Sequence, residues 1–280
     1  MTRPEGSPES IIVWTEEEKR YLRRLLSHDF LSSSDELRRA RTNRHMNGAP
    51  AKKPVAEFRI LVIGAKGTGK TSLLTRICEN RQPTPNPPAT VNSQNYRTTA
   101  DIDSQLYTFD AVELPSKHLW RDDLIQQAVA ITDAALLLYS ISDPPSLRLA
   151  QGLAELISDT VISAKREYSI LLAGNKSDLP DAERRIAYSE GSKVAGSFQI
   201  KTSFMEVSAA SGDQVGLVLP KLGRDILLLR SISEQRREYA EKVKREAEEA
   251  ARGVTTMRKK GGLWKRLSRG IFMRKEVAQN

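Results

Sequence analysis

The stretch that most restricts this chain is Gly64-Ala65-Lys66-Gly67-Thr68-Gly69-Lys70-Thr71. It follows the apolar run Phe58-Arg59-Ile60-Leu61-Val62-Ile63 and opens into Ser72-Leu73-Leu74-Thr75-Arg76-Ile77. The first run reads as a strand and the last has helical apolar spacing, so the pattern G-x-x-x-x-G-K-[ST] stands in the setting that gives it meaning. Its glycines let backbone N–H groups curl round a phosphate. The helix N-terminus adds the positive end of its dipole, Lys70 a mobile positive charge, and the Thr71 hydroxyl a ligand for Mg²⁺. The expected phosphate site comprises Gly64, Ala65, Lys66, Gly67, Thr68, Gly69, Lys70, Thr71 and Ser72, with Lys70 and Thr71 nearest the chemistry. A chance glycine-rich turn is the competing reading; roughly one unrelated chain in a hundred of this length would carry the pattern.

Strands alternate with helices from Glu57 to about Ser233. The spacing predicts strands at 57–63, 96–102, 105–110, 134–141, 169–174 and 203–207, and helices at 70–80, 117–131, 145–166, 182–198 and 213–250. Ala134-Ala135-Leu136-Leu137-Leu138-Tyr139 and Ile170-Leu171-Leu172-Ala173 are continuously apolar, as parallel strands covered on both faces require. The expected fold is therefore α/β, with ligands at the carboxyl ends of the strands. Arg81-Gln82-Pro83-Thr84-Pro85-Asn86-Pro87-Pro88 is too rich in proline for helix or ladder strand and reads as a mobile loop.

The net charge of +9 is unevenly spread: residues 1–56 carry +3, residues 252–280 carry +8, and the middle carries −2. Basicity in the tails argues against a nucleic-acid-binding core. Residues 1–56 read as a mostly disordered extension, in which Thr15-Glu16-Glu17-Glu18 and the residues to Leu26 can form one short amphipathic helix. A charged helical extension at 234–251 leads to a basic tail at 252–280. There Trp264, Leu267 and Ile271 share one helical face, with Lys265, Arg266, Arg269, Arg274 and Lys275 around the rest. Such a segment suits an anionic membrane surface or a calmodulin-like partner; a disordered basic tail without a ligand is the plain alternative. Ser268, after Lys265-Arg266, has the setting of a basophilic kinase site. The single cysteine, Cys78, excludes a disulfide framework. With no apolar signal region, no 18-residue apolar run and no C-terminal lipidation box, a monomer is expected in the cytoplasm, or peripherally on the inner face of the plasma membrane.

Asn175-Lys176-Ser177-Asp178 follows the strand ending at Gly174. The Asp178 carboxylate can accept from the guanine ring N–H and its exocyclic amino group together, whereas adenine offers neither at that edge. The Lys176 stem can lie over the base. Further on, Met205-Glu206-Val207-Ser208-Ala209-Ala210 ends the last strand. At this point the chain resembles a small GTPase of the Ras superfamily over about residues 57–233; Tyr139-Ser140-Ile141-Ser142-Asp143-Pro144-Pro145-Ser146-Leu147 strengthens the likeness. The resemblance implies a P-loop NTPase G domain with a mostly parallel six-stranded sheet and helices on both faces. It also implies GTP/GDP and Mg²⁺ as ligands, GTP hydrolysis, and effector or regulator proteins as partners. In it the Ala209 N–H meets the guanine carbonyl while Ser208 braces the loop.

The family's D-x-x-G, followed by a glutamine that orients water, is degenerate here. Counting back from Arg121-Asp122 matches it to Asp110-Ala111-Val112-Glu113-Leu114. On that register Asp110 keeps a water-mediated Mg²⁺ contact, Glu113 replaces the glycine and Leu114 the glutamine. Lys66 stands where the Ras branch has glycine, where a side chain obstructs a partner's arginine finger; it can also supply charge to the γ-phosphate itself, and a lysine simply exposed to solvent is the plainer reading. Thr90, with Thr84 as the weaker choice, has nearly the spacing of the Thr that binds Mg²⁺ from the first switch loop. These departures predict slow hydrolysis, since positioning and charge stabilisation are most of this chemistry. A non-cycling, nucleotide-bound scaffold is the alternative. An ATP-using enzyme is a minor third reading that makes Asp178 incidental. The degenerate motif, long extensions and basic tail are also similar to the Rad/Gem/Rem (RGK) group, although these general features equally suit a separate lineage.

Overall fold

The computed structural model describes the backbone of residues 53–79 and 96–276, with side chains at 53–78 and 96–248. The N-terminal helix, the proline-rich loop with Thr84 and Thr90, and the side chains of the basic tail lie outside the described residues.

Strand β1 (Glu57–Gly64) runs into the phosphate loop and then α1 (Lys70–Glu79). Next come β2 (Tyr96–Ile102), β3 (Gln105–Glu113), a short 3-10 turn at Ser116–His118 and α2 (Asp122–Ala130). Then β4 (Ala134–Ser140), α3 (Pro144–Ser163), β5 (Ser169–Asn175), α4 (Tyr188–Gly196) and β6 (Lys201–Val207) follow. A 3-10 turn at Val215–Leu217 leads into α5 (Val218–Glu276). The sheet order is β2-β3-β1-β4-β5-β6. Edge strand β2 runs antiparallel to β3, and the other described pairings are parallel.

Every residue of β4 and β5 is buried, as their continuous apolar runs demand. On one face Leu61, Ile63, Leu137 and Tyr139 pack with Leu124 and Ile125 of α2 and Ala150, Leu153 and Ile157 of α3. On the opposite face the start of α5 comes so close that a Cβ on Gly223 would stand 3.0 Å from the Phe109 ring. The phosphate loop and the ends of β5 and β6 thus lie along the carboxyl edge of the parallel strands.

Three predicted helices are shorter or begin later than their spacing suggested. Residues 117–131 divide into the 3-10 turn and α2, with Asp122 and Asp123 in the first turn of the latter. Residues 182–187 are not helical because the Arg185 and Ile186 N–H groups both donate to the Ile141 carbonyl, anchoring the chain to the end of β4 instead. The last α-helix starts at Val218 rather than 213. Strand β3 is longer than predicted, reaching Glu113 in unbroken register with Val62. That extension decides the site.

By contacts the chain divides between Ile226 and Leu227. The second unit, described by itself, is helical to Glu276, with Leu228, Tyr239 and Val243 exposed. Among the described residues, no helix is long and apolar enough to cross a membrane.

Candidate nucleotide site

The phosphate loop is held by its own backbone. Gly64 ends β1 against Leu138, whose carbonyl oxygen leaves no room for a Cβ. Gly69 has φ of 90°, a conformation that L side chains avoid, and a Cβ there would collide with the Asn175 amide. The fully buried Thr68 side chain donates to the Ala65 carbonyl at 2.9 Å. Lys66 and Gly67 are exposed at the tip, Ala65 and Ser72 are half-buried, and Thr71 is exposed at the start of α1.

Lys70 is only 6% exposed. Its ammonium donates to the carbonyls of Gly64 at 2.9 Å and Ala65 at 3.0 Å, and to the Ser116 hydroxyl at 2.8 Å. Burial pulls its pKa below the usual lysine value, and the Glu113 carboxylate opposes that shift. A cation gathered onto the loop's own carbonyls, with a ring of backbone that a Cβ would block, fits an anionic phosphate: the ammonium has neutral partners here and an anion would be the stronger one.

The Thr71 hydroxyl donates to the Glu113 carboxylate, with both oxygens at 3.0 Å. Burial raises the Glu113 pKa, while the Thr71 hydrogen bond and the Lys70 charge pull it down. Asp110 does not join this group. It is buried in β3 opposite Arg59, whose Nε lies 3.3 Å from its carboxylate. Burial raises its pKa and Arg59 opposes the rise. The expectation of a metal contact from Asp110 is thereby corrected. Residues three apart on an unbroken strand point to opposite faces of the sheet, and Glu113 is on the face that meets Thr71. Among the described residues, Thr71 and Glu113 are the pair placed to hold a cation here.

Leu114 is corrected in the same way. It is fully buried in the apolar cluster with Leu124 and Ile125, and its N–H donates to Val62. It faces no phosphate. With Glu113 at the first position of the degenerate motif, the fourth is Ser116 and the fifth is the exposed Lys117. Ser116 is the site residue that sequence reasoning missed; besides accepting from Lys70 it donates to the Gly64 carbonyl at 3.3 Å. Counting back from Arg121-Asp122 fails because it presumes a connection of fixed length. The parity of β3 is the better signal.

The base side is tied together through Asn175, which is 2% exposed. Its amide donates to the Thr68 carbonyl at 2.8 Å, and its carbonyl oxygen accepts from the Ala209 N–H at 3.0 Å. One side chain thus clamps the phosphate loop to the loop after β6. Ser208 donates to the Asp178 carboxylate and accepts from the Ser211 N–H at 2.9 Å. Lys176 has φ of 71°, the turn that swings Asp178 back towards Ser208. Arg76 of α1 reaches the Ser211 carbonyl at 3.0 Å, a second tie between the two sides. The structure brings Asn175, Lys176, Asp178, Ser208 and Ala209 together, with Asp178 exposed at the rim.

Strand order, phosphate loop and base-side loops define the class of protein, a P-loop GTPase G domain. The family model described as "Ras family" matches residues 59–228, more than half of the chain. The chain therefore belongs to the Ras family. It is 27% identical to the Ras-related protein RabC of Dictyostelium discoideum over 179 residues, which cover 60% of this chain and 83% of the relative. It is 29% identical to the Ras-like protein rasC of the same organism over 172 residues, 60% of this chain and 86% of the relative. Against the Ras-related protein Rab-13 of Canis lupus familiaris, identity is 30% over 179 residues, 61% of this chain and 80% of the relative. The chain is a Ras-like small GTPase, a GTP-binding protein of the signalling kind.

Proposed function

We propose that this protein is a monomeric guanine-nucleotide switch that binds GTP and GDP with Mg²⁺ and hydrolyses GTP slowly. The observation that carries the reading is the Asn175 clamp, which sets Asp178, Ser208 and Ala209 at a fixed span from the phosphate loop. Within that span Asp178 reads the guanine edge, and the loop with Lys70 and Thr71 holds the phosphates. Mg²⁺ would be held beside Thr71 by Glu113, where it supplies charge stabilisation to the phosphates; Thr90 is the further ligand proposed from the loop before β2. Slow hydrolysis follows from Ser116 and Lys117 standing at the fourth and fifth motif positions. Neither offers the amide that orients water. Exposed Lys66 obstructs the approach of an arginine from an activating partner.

Residues 257–275, basic and carrying Trp264, Leu267 and Ile271, favour work in the cytoplasm at the anionic inner face of the plasma membrane. Binding of the full chain to anionic but not neutral vesicles tests this; equal binding to both, or to neither, sinks it. Saturable binding to calmodulin without vesicle binding would redirect the tail to a protein partner.

A second reading is a nucleotide-bound scaffold that does not cycle, in which effectors meet one fixed surface. Lys70 and Thr71 already satisfied by Ser116, Glu113 and main-chain oxygens favour it. Single-turnover GTP hydrolysis together with GTP and GDP affinities separates the two. Similar affinities with no hydrolysis over hours retire the switch.

A further inference from the structure

A lysine ammonium has three N–H donors, and in Lys70 all three are engaged. They go to the Gly64 carbonyl at 2.9 Å, the Ala65 carbonyl at 3.0 Å and the Ser116 hydroxyl at 2.8 Å. A phosphate oxygen that bonds this ammonium therefore takes a donor from one of these partners. The three do not yield equally. Gly64 is fixed as the last residue of β1, in register with Leu138. The Ala65 carbonyl also accepts from the Thr68 hydroxyl at 2.9 Å, so it stays answered when Lys70 leaves it. Ser116 stands outside the loop, on the 3-10 turn, and its hydroxyl swings away by rotation about one bond.

The lysine of such a loop reaches the β- and γ-phosphates. With a diphosphate, one phosphate oxygen, the Gly64 carbonyl and Ser116 fill the three donors. With a triphosphate, two phosphate oxygens and the Gly64 carbonyl fill them, and Ser116 is shut out. Resting on the nucleotide reading above, we propose that the Ser116 hydroxyl competes with the terminal phosphate of GTP for Lys70 and so tilts the site towards GDP. The bond survives GDP binding and is surrendered to GTP, so its strength is subtracted from the affinity for GTP alone. Ser116 acts through Lys70 and is a positioning residue. It also begins the 3-10 turn, and its second bond, to the Gly64 carbonyl at 3.3 Å, runs to the same loop. The contact that GTP breaks is thus one that ties this turn to the phosphate loop.

The test uses the full chain with Mg²⁺, measuring displacement of fluorescent GDP by GDP and by the non-hydrolysable triphosphate GppNHp. A wild-type chain that retains no fluorescent GDP overturns the nucleotide reading, and this proposal with it. In a chain that does bind, the readout is GppNHp affinity relative to GDP affinity, a ratio that a general loss of stability does not move. Ser116→Ala should raise that ratio about tenfold, the size of one hydrogen bond to a charged group. Ser116→Gly, which also lacks the hydroxyl, should do the same, and Ser116→Thr, which keeps it, should hold the wild-type ratio. An unchanged ratio in the Ala and Gly variants overturns the competition while leaving the nucleotide reading standing. A fall in the ratio overturns it too, since the hydroxyl would then be a donor to the terminal phosphate. A Thr variant that moves with Ala and Gly likewise removes the hydroxyl as the cause.

Discussion

The two sides of the nucleotide site are built on different plans. On the base side, Asn175, Asp178, Ser208 and Ala209 are bonded to one another and to the phosphate loop. On the γ-phosphate side, a glutamate rather than the expected aspartate meets Thr71, and a serine of the 3-10 turn takes up the P-loop lysine. On the base side each polar group is answered by another within a few residues of two strand ends. The phosphate side depends on one strand terminus meeting one helix terminus, so a change of a few residues in the connection rewrites it. The base-side bonds and the contacts around Lys70 and Thr71 therefore rest on different segments of the chain.

Asn175→Ala should break the comparison most severely. It leaves the buried Thr68 carbonyl and Ala209 N–H without their partner, each costing about 1–3 kcal/mol. Urea denaturation should show a loss of roughly 2–4 kcal/mol, and a loss too small to resolve would mean the clamp is not structural. Asp178→Asn comes next. Guanine-nucleotide affinity should fall about 100-fold as a charge-assisted pair of hydrogen bonds is lost, with preference moving towards xanthine nucleotides. Unaltered preference in a displacement assay would make Asp178 incidental.

The phosphate side is sharpened by two glutamines. Leu114→Gln puts an amide into a fully buried apolar site and should cost about 2–3 kcal/mol without accelerating hydrolysis. Lys117→Gln, at the fifth motif position, should leave stability unchanged and raise single-turnover hydrolysis by roughly a few-fold. The reverse pattern would restore the register counted from Arg121-Asp122. Asp110→Asn is the smallest effect. GDP and Mg²⁺ affinities should stay within about twofold, because the residue is on the other face of the sheet. Its pH signature is distinct. Burial raises Asp110, so the native state holds this proton to higher pH than the unfolded chain does. Its contribution to stability therefore falls as pH climbs from the ordinary carboxylate value to the raised one, and is level above that. Removing the carboxyl should flatten this decline in denaturation midpoints taken from acidic to neutral pH.

What could be read in advance was local. The phosphate loop between an apolar strand and a helix, the continuous apolar runs of β4 and β5, and the turn after Asn175 are each specified by neighbours in sequence. They required only alternation, glycine placement and strand ends to recognise. Boundaries were less legible where backbone groups bond far away, as when Arg185 and Ile186 reach Ile141 instead of extending α4.

By itself, then, the sequence determined the α/β sheet, the phosphate loop and the turn after Asn175, because periodicity and short-range turn chemistry carry them. Which carboxylate meets Thr71 was decided only by tertiary structure. Asp110 and Glu113 are both acidic and three residues apart, and composition treats them alike. The register of β3 on β1 aims one at Arg59 and the other at the phosphate loop. Strand parity and register are properties of the assembled sheet, and in this protein they assign which carboxylate meets the phosphate loop.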